Sequence, residues 1–149
     1  MRKEKIIVGW REWVALPALK VERIKVKVDT GARTSSLHAF DVERFRRRGR
    51  SMVRFSIHPM QRSHDGAVRA TAELIDRRRV RSSSGATEMR LVIGTELRIG
   101  EGHWPIELNL TERDVMGFRM LLGREAIRSR CLVEPGRSFL STKKRPLRQ

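Results

Sequence analysis

The sequence predicts an all-β fold with one short helix, and three observations carry that reading. Apolar residues alternate with polar or charged ones at period two in Ile24-Val26-Val28 and again in Ile106-Leu108-Leu110, the pattern of a strand with one buried face. Small clusters of serine and glycine, Ser82-Ser83-Ser84-Gly85 and Gly100-Glu101-Gly102, fall where hairpins would turn. Arg124 to Arg130 is the best helix candidate in the chain.

Taken in order, Ile6 to Leu16 reads as one apolar and aromatic strand that Pro17 stops. Trp10 and Trp13, three apart, cannot share a strand face, so one is expected in the core and the other at an interface or in solvent. The strand through Ile24, Val26 and Val28 ends at Asp29-Thr30-Gly31, where glycine can supply the backbone angles of a tight loop. Phe45 to Asp65 is basic and reads as two turns around a short strand, Met52 to Ile57. Ala70 to Arg81 runs into the serine-rich tip and returns through Met89, Leu91 and Ile93. Met120-Leu121-Leu122-Gly123 is a buried strand leading into the helix. Cys131-Leu132-Val133 resumes as a strand, Pro135-Gly136 turns, and Ser138 to Leu140 closes the fold. One domain is expected over residues 1–141, followed by a basic, flexible tail over 142–149.

The composition bounds the function. At 149 residues the chain can bury a core. Its 33 Lys and Arg against 17 Asp and Glu leave a net charge of +16, which draws acidic partners: nucleic acid, a ribosome surface, or a substrate rich in Glu and Asp. A lone cysteine, Cys131, cannot form an internal disulfide and suits a reducing cytoplasm; it reads as a small buried hydrophobe. The charged start lacks the apolar run of a signal peptide, and no segment approaches the roughly 20 apolar residues that span a bilayer. A cytoplasmic protein with no membrane contact is the expectation.

One motif carries chemistry. Asp29 closes a buried strand on a glycine-bearing loop, where one of two proton-sharing carboxylates would stand. Thr30 would hold the loop through its hydroxyl, and Ala32 would keep the approach uncrowded. A plain Asp-Thr-Gly turn is the competing account, since the tripeptide arises by chance in on the order of a few per cent of chains this long. The second half of the pattern weighs against chance: Leu121-Leu122-Gly123-Arg124 and a short helix lie some ninety positions on, with a serine-tipped hairpin between.

That order resembles the retropepsins. It is closer still to a bacterial and archaeal family of retropepsin-like aspartic peptidases with the legacy name "ATP-dependent zinc protease". The likeness is carried by Val8-Gly9-Trp10-Arg11-Glu12, by Val28 through Ala39 (Val-Asp-Thr-Gly-Ala-Arg-Thr-Ser-Ser-Leu-His-Ala), by Arg81-Ser82-Ser83-Ser84-Gly85 and by Met120-Leu121-Leu122-Gly123-Arg124. The resemblance implies a retropepsin-like closed β-barrel, with residues 42–70 inserted relative to the smaller viral enzymes. It also implies a flap around Ser82 to Ala86 over an active site on a two-fold axis. Catalysis then falls to Asp29, Thr30 and Gly31, and substrate contact to Ala32, Arg33, Ser82, Ser83, Ser84, Gly85 and Ala86. With one Asp-Thr-Gly per chain, aspartic chemistry requires a homodimer.

No metal and no cofactor are expected. His38, His58, His64 and His103 form no His-Glu-x-x-His, and no Gly-x-x-x-x-Gly-Lys-Ser/Thr is present to cradle a nucleotide. His58 and His64 are read as solvated loop residues flanking a turn. Members of the resembled family sit beside ATP-grasp glutamate ligases that extend the tail of a ribosomal protein, so the resemblance also implies a glutamate-rich or ribosomal-protein tail as substrate. The alternative from another class is a non-catalytic, basic RNA- or ribosome-binding module on the same fold. The Arg46-Arg47-Arg48-Gly49-Arg50 run is either a solvated loop or a docking patch.

Overall fold

Burying one face of each apolar-polar repeat yields eleven strands, one α-helical turn and a 3-10 turn at Pro17–Leu19 in the computed structural model, which describes residues 4–60, 66–82, 84–112 and 117–142. The strands are β1 (Ile6–Val8), β2 (Arg11–Leu16), β3 (Val21–Asp29), β4 (Ser35–His38), β5 (Phe40–Arg47) and β6 (Arg50–Ile57). They continue with β7 (Val68–Arg81), β8 (Thr87–Ile99), β9 (Gly102–Thr111) and β10 (Met120–Gly123), then the turn α1 (Arg124–Ile127) and β11 (Cys131–Val133). Nine strands make one sheet in the order β2-β3-β10-β4-β9-β8-β7-β6-β5. One further pairing, Ala15 with Arg98, brings β2, its first strand, back onto β8, its sixth. β1 and β11 pair in parallel as a separate two-stranded sheet. The core fills the space this enclosure leaves, with Leu16, Ile24, Leu37, Phe55, Ile93, Leu97, Leu108, Met120 and Leu122 removed from solvent. No helix of the described residues is long and apolar enough to cross a membrane.

Four expectations are corrected. Ile6 to Leu16 is two strands in two sheets, because at Gly9 the chain crosses the C-terminal segment so closely that a Cβ there would sit 2.1 Å from the Arg137 carbonyl. Neither tryptophan enters the core: the inward face of β2 is Glu12, Val14 and Leu16, and both Trp10 and Trp13 are half-buried outside it. Trp13 lies between Phe139, stacked at 6.1 Å, and the Arg23 guanidinium at 4.0 Å. The basic stretch after Phe45 belongs to a long hairpin, β5 and β6, which turns at Arg48 and Gly49, both at positive φ. The helix is a single turn, since Arg128 leaves helical geometry at ψ 133°. The segment Gln61 to Asp65, Ser83 and the basic tail from Lys143 lie outside the described residues.

Two further features were not visible as sequence patterns. β4 is polar and wholly buried. His38 accepts at Nδ1 from Arg119 (2.9 Å) and donates from Nε2 to the Glu112 carbonyl (2.8 Å), the arrangement that a guanidinium on one side and a carbonyl on the other require. His58 is not a solvated loop residue: its ring packs at 4.4 Å on Phe40, which meets His38 on its other flank at 4.5 Å.

The second is Glu12, fully buried and satisfied by neutral donors. It accepts from the backbone amides of Gly9 (2.6 Å), Leu140 (2.8 Å) and Ser141 (3.1 Å), and from the Ser141 hydroxyl (2.6 Å). This carboxylate ties residues 138–141 back onto β2, and Phe139 N donates to the Arg11 carbonyl in support. Replacing Glu12 with Ala leaves those donors buried without a partner. The expected loss is about 3 kcal/mol or more, read as a lower denaturation midpoint with an unchanged slope in urea. Cys131 is buried in the same region, and burial, reinforced by the Glu12 charge, pushes its thiol up to about 11. At pH 8 the native thiol should therefore react with alkylating reagents far more slowly than the thiol of the urea-unfolded chain. The unfolded thiol ionises first, so the same shift makes the fold lose stability as pH rises from about 9 to about 11.

Candidate active site

The Asp29 loop is held from below by the β10–α1 junction. β10 lies between β3, to which it runs parallel with Gly123 opposite Asp29, and β4, to which it runs antiparallel. A Cβ on Gly123 would sit 2.4 Å from the Thr34 carbonyl oxygen and 3.0 Å from that of Ala32. Only glycine lets the loop settle here. Once it does, the backbone amides of Arg124 and Glu125 donate to the carbonyls of Ala32 (2.8 Å) and Arg33 (3.1 Å). Gly123 N donates to Ser35 Oγ at 2.9 Å. The Arg124 guanidinium adds bonds to the carbonyls of Thr30 (3.3 Å) and Gly31 (3.2 Å).

The carboxylate is aimed by its own loop. Asp29 Oδ1 accepts from Gly31 N at 3.0 Å, and the Asp29 carbonyl accepts from Ala32 N at 3.1 Å. Gly31 is not at positive φ. Its use is space: a Cβ would stand 3.2 Å from Asp29 Oδ1. Thr30 does not hold this loop through its hydroxyl. The side chain is exposed and bonds to none of the described residues.

Opposite stands the β7–β8 hairpin. Its tip is closed by Ser82 N to the Ala86 carbonyl (2.7 Å) and Gly85 N to the Ser82 carbonyl (2.9 Å), with Gly85 at φ 92° and the hydroxyls of Ser82 and Ser84 bonded at 2.8 Å. An open cleft of about 1420 Å³ runs between hairpin and loop, larger than the ~300–1,000 Å³ of small-molecule pockets and suited to an extended chain. Of the residues assigned from the sequence, Asp29, Gly31, Ala32, Arg33, Ser82 and Ser84 line it, whereas Thr30, Gly85 and Ala86 do not; Ser83 lies outside the described residues. Arg33 is exposed at its edge with no carboxylate partner among the described residues.

The sequence reading missed the polar floor of the cleft. Arg90, buried on β8, donates to Glu88 (2.7 Å), to Asn109 Oδ1 (2.9 Å) and to Ser36 Oγ (3.3 Å), and Asn109 in turn donates to Thr34 Oγ1 (3.2 Å). Asn109 alternates with Leu108 and Leu110 and so reads as solvent-facing, yet it is 3% exposed because the hairpin covers that face of β9. Beside it Arg78 bonds Glu107 (2.7 Å) and Asp76 (2.6 Å). The Arg78 bond, helped by the Arg77 amide, holds the Asp76 carboxyl below its ordinary range. Among the described residues no cluster of three or more His, Cys, Asp or Glu is placed to hold a metal.

Comparison with known proteins places this arrangement. A family model described as retropepsin-like aspartic endopeptidase RimB matches residues 7–144. A probable alpha-L-glutamate ligase of Shewanella pealeana is 48% identical over 139 residues, and one of Parasynechococcus marenigrum is 50% identical over 131. Those matches cover 93% and 88% of this chain but 30% and 28% of the relatives, so the chain spans less than a third of their length. The solved structure of Lpg0085, a protein of unknown function from Legionella pneumophila, superposes with a TM-score of 0.78 at 25% identity, covering 93% of this chain and 99% of that one.

Gly123→Ala tests the junction. The added methyl must displace the Thr34 carbonyl, so a loss of about 1–3 kcal/mol is expected in thermal unfolding, where an exposed Gly→Ala change with room for the methyl costs little.

Proposed function

The chain belongs to the RimB-like family of retropepsin-like aspartic endopeptidases, and we propose that two copies of it form an aspartic peptidase with Asp29 of each at a shared two-fold axis. The observation that supports this most is the Asp29 loop itself. It is a single carboxylate, fixed by Gly31 N and by the β10–α1 clamp, at the edge of a cleft open to an extended peptide. One such loop is half of a dyad, and an isologous contact would supply the other half.

In that assembly the two carboxylates would hold one proton between them, because like charges in contact cannot both ionise. The ionised member takes a proton from a bridging water, whose oxygen bonds to the scissile carbonyl carbon. The protonated member donates to the carbonyl oxygen. Collapse of the tetrahedral adduct returns the carbonyl, breaks the C–N bond and passes a proton to the departing amine. The exposed Thr30 hydroxyl, which bonds to none of the described residues, would be available to the second copy. The serine-tipped hairpin would cover the substrate and limit the access of bulk water.

The substrate we propose is a glutamate-rich tail, as on a ribosomal protein. Two observations support it. The relatives that share this domain carry the name of a glutamate ligase on a longer chain, so a peptidase acting on glutamate-containing products would work on the same chemistry. The net charge of +16, with Arg33 uncommitted at the cleft edge, favours encounter with such a tail.

Asp29→Asn should leave the circular dichroism spectrum and the sedimentation coefficient of a dimer unchanged. It should lower cleavage of a glutamate-rich peptide by about 10²–10⁴-fold or more. Cleavage should also slow as salt screens the encounter. An active monomer would sink the shared-dyad reading, and equal cleavage of neutral and polyglutamate peptides at low salt would sink the substrate.

A further inference from the structure

The strand register sorts the charges of β5 to β8 onto two sides. Residues directly opposite one another in paired strands share a face. Arg44 opposes Val53, Val53 opposes Ala72, and Arg46 opposes Ser51. Beyond the irregularity at Leu74–Asp76, Leu74 opposes Ile93, and Arg77, Arg79 and Arg81 oppose Leu91, Met89 and Thr87. Arg44, Arg46, Arg77, Arg79 and Arg81 therefore lie on one face, the one whose Val53, Phe55, Ala72 and Ile93 pack the core farther along. All five are exposed. No Asp or Glu of the paired segments shares that face, and none of the five has a carboxylate partner among the described residues.

The other face is balanced. Glu43 is bonded by Arg54 and Arg69, Glu73 by Arg50, Asp76 by Arg78 and Glu88 by Arg90. Four acids on one side are thus paired with arginines, while five guanidiniums on the other have no carboxylate partner among the described residues. Arg78, Val80 and Arg90 on the balanced side line the cleft, and of the five arginines Arg79 and Arg81 line it as well, whereas Arg44, Arg46 and Arg77 do not. A peptide held in the cleft would meet this basic face only at Arg79 and Arg81.

We infer that this arginine face binds the phosphodiester backbone of double-helical RNA. A nucleic-acid duplex carries about one charge per 1.7 Å and releases condensed counterions when arginines replace them. An extended acidic peptide, at roughly 3.3–3.6 Å per residue, is less dense and gives a weaker drive. The planar, forked guanidinium suits phosphate oxygens, and neither Asn nor Gln is present on the face to read base edges. Insertion into the roughly 12 Å major groove of B-DNA is blocked. The Arg47–Arg50 turn is flanked by β7, and three strands about 4.8 Å apart with their side chains are wider than that groove. A basic sheet face instead fits the shallow minor-groove side of A-form RNA, which is recognised by shape and backbone.

The test is anisotropy of a labelled 20-base-pair RNA duplex with the full chain, titrated at several salt concentrations. Affinity should fall with log salt at a slope of about −4, as expected when four to five phosphates are neutralised. Arg77→Gln/Arg79→Gln/Arg81→Gln and, separately, Arg44→Gln/Arg46→Gln should each weaken binding about tenfold or more. Each should also flatten the slope by about one for every arginine that no longer neutralises a phosphate. Lys5→Gln/Arg98→Gln/Arg137→Gln removes the same charge as the triple variant elsewhere and should cost less than about threefold, with matching thermal melts for all variants. Cleavage of a glutamate-rich peptide should be unchanged in Arg44→Gln/Arg46→Gln, whose residues do not line the cleft, which separates this inference from the peptidase reading. The proposal is overturned if the dispersed control weakens binding as much as the face variants, if a B-form DNA duplex binds equally well, or if a polyglutamate peptide binds with the same affinity and the same arginine dependence.

Discussion

The closeness of β10 to the loop after β3 is the constraint on which the rest of the site depends. A strand placed between β3 and β4 satisfies its own backbone from both sides, but its last residue must also lie beneath the carbonyls of Ala32 and Thr34. Any side chain at position 123 would push those carbonyls away. The amides of Arg124 and Glu125 would then lose the acceptors that now fix the loop. Arg124 uses the same approach, its guanidinium capping two further carbonyls that a free turn would leave to solvent. Asp29 is thus positioned by backbone hydrogen bonds from a segment some ninety residues away, and a loop so held loses little entropy when it meets a ligand.

Two buried polar centres stabilise the frame around it. Glu12 gathers three amides and a hydroxyl and so fixes the C-terminal segment across β2, with the Trp13–Phe139 stack and Arg11 on the outside. The Ser36–Asn109–Arg90 network does the same at the root of the β7–β8 hairpin. Both follow the rule that a buried polar group must be fully partnered to be tolerated. Among its described residues the hairpin tip is closed by its own turn bonds.

The charge of the molecule follows the same sheet. Net charge alone says that acidic partners are attracted, and leaves open where they would bind. In β5 to β8 one face pairs Glu43, Glu73, Asp76 and Glu88 with arginines, whereas the other carries five arginines with no carboxylate partner among the described residues. The two surfaces meet at Arg79 and Arg81, which lie on the arginine face and also line the cleft.

By itself the sequence determined the strand-rich class, the Asp29 loop, the serine-tipped hairpin and the buried Met120–Gly123 run, because each is written in local period, turn chemistry or a contiguous motif. It did not show β4, since Ser35, Ser36 and His38 are polar residues that face inward and mimic a loop. It placed Asn109 in solvent by alternation and left Glu12 unremarked, because the partners that make those burials tolerable come from β8 and from residues 138–141. It also assigned the loop's stability to Thr30 and the freedom of Gly31, when distant carbonyl acceptors and the space beside Gly123 provide it. Local chemistry can be read one segment at a time. Which polar groups are buried, and which arginines remain unopposed, is set only when strands far apart in sequence choose their register.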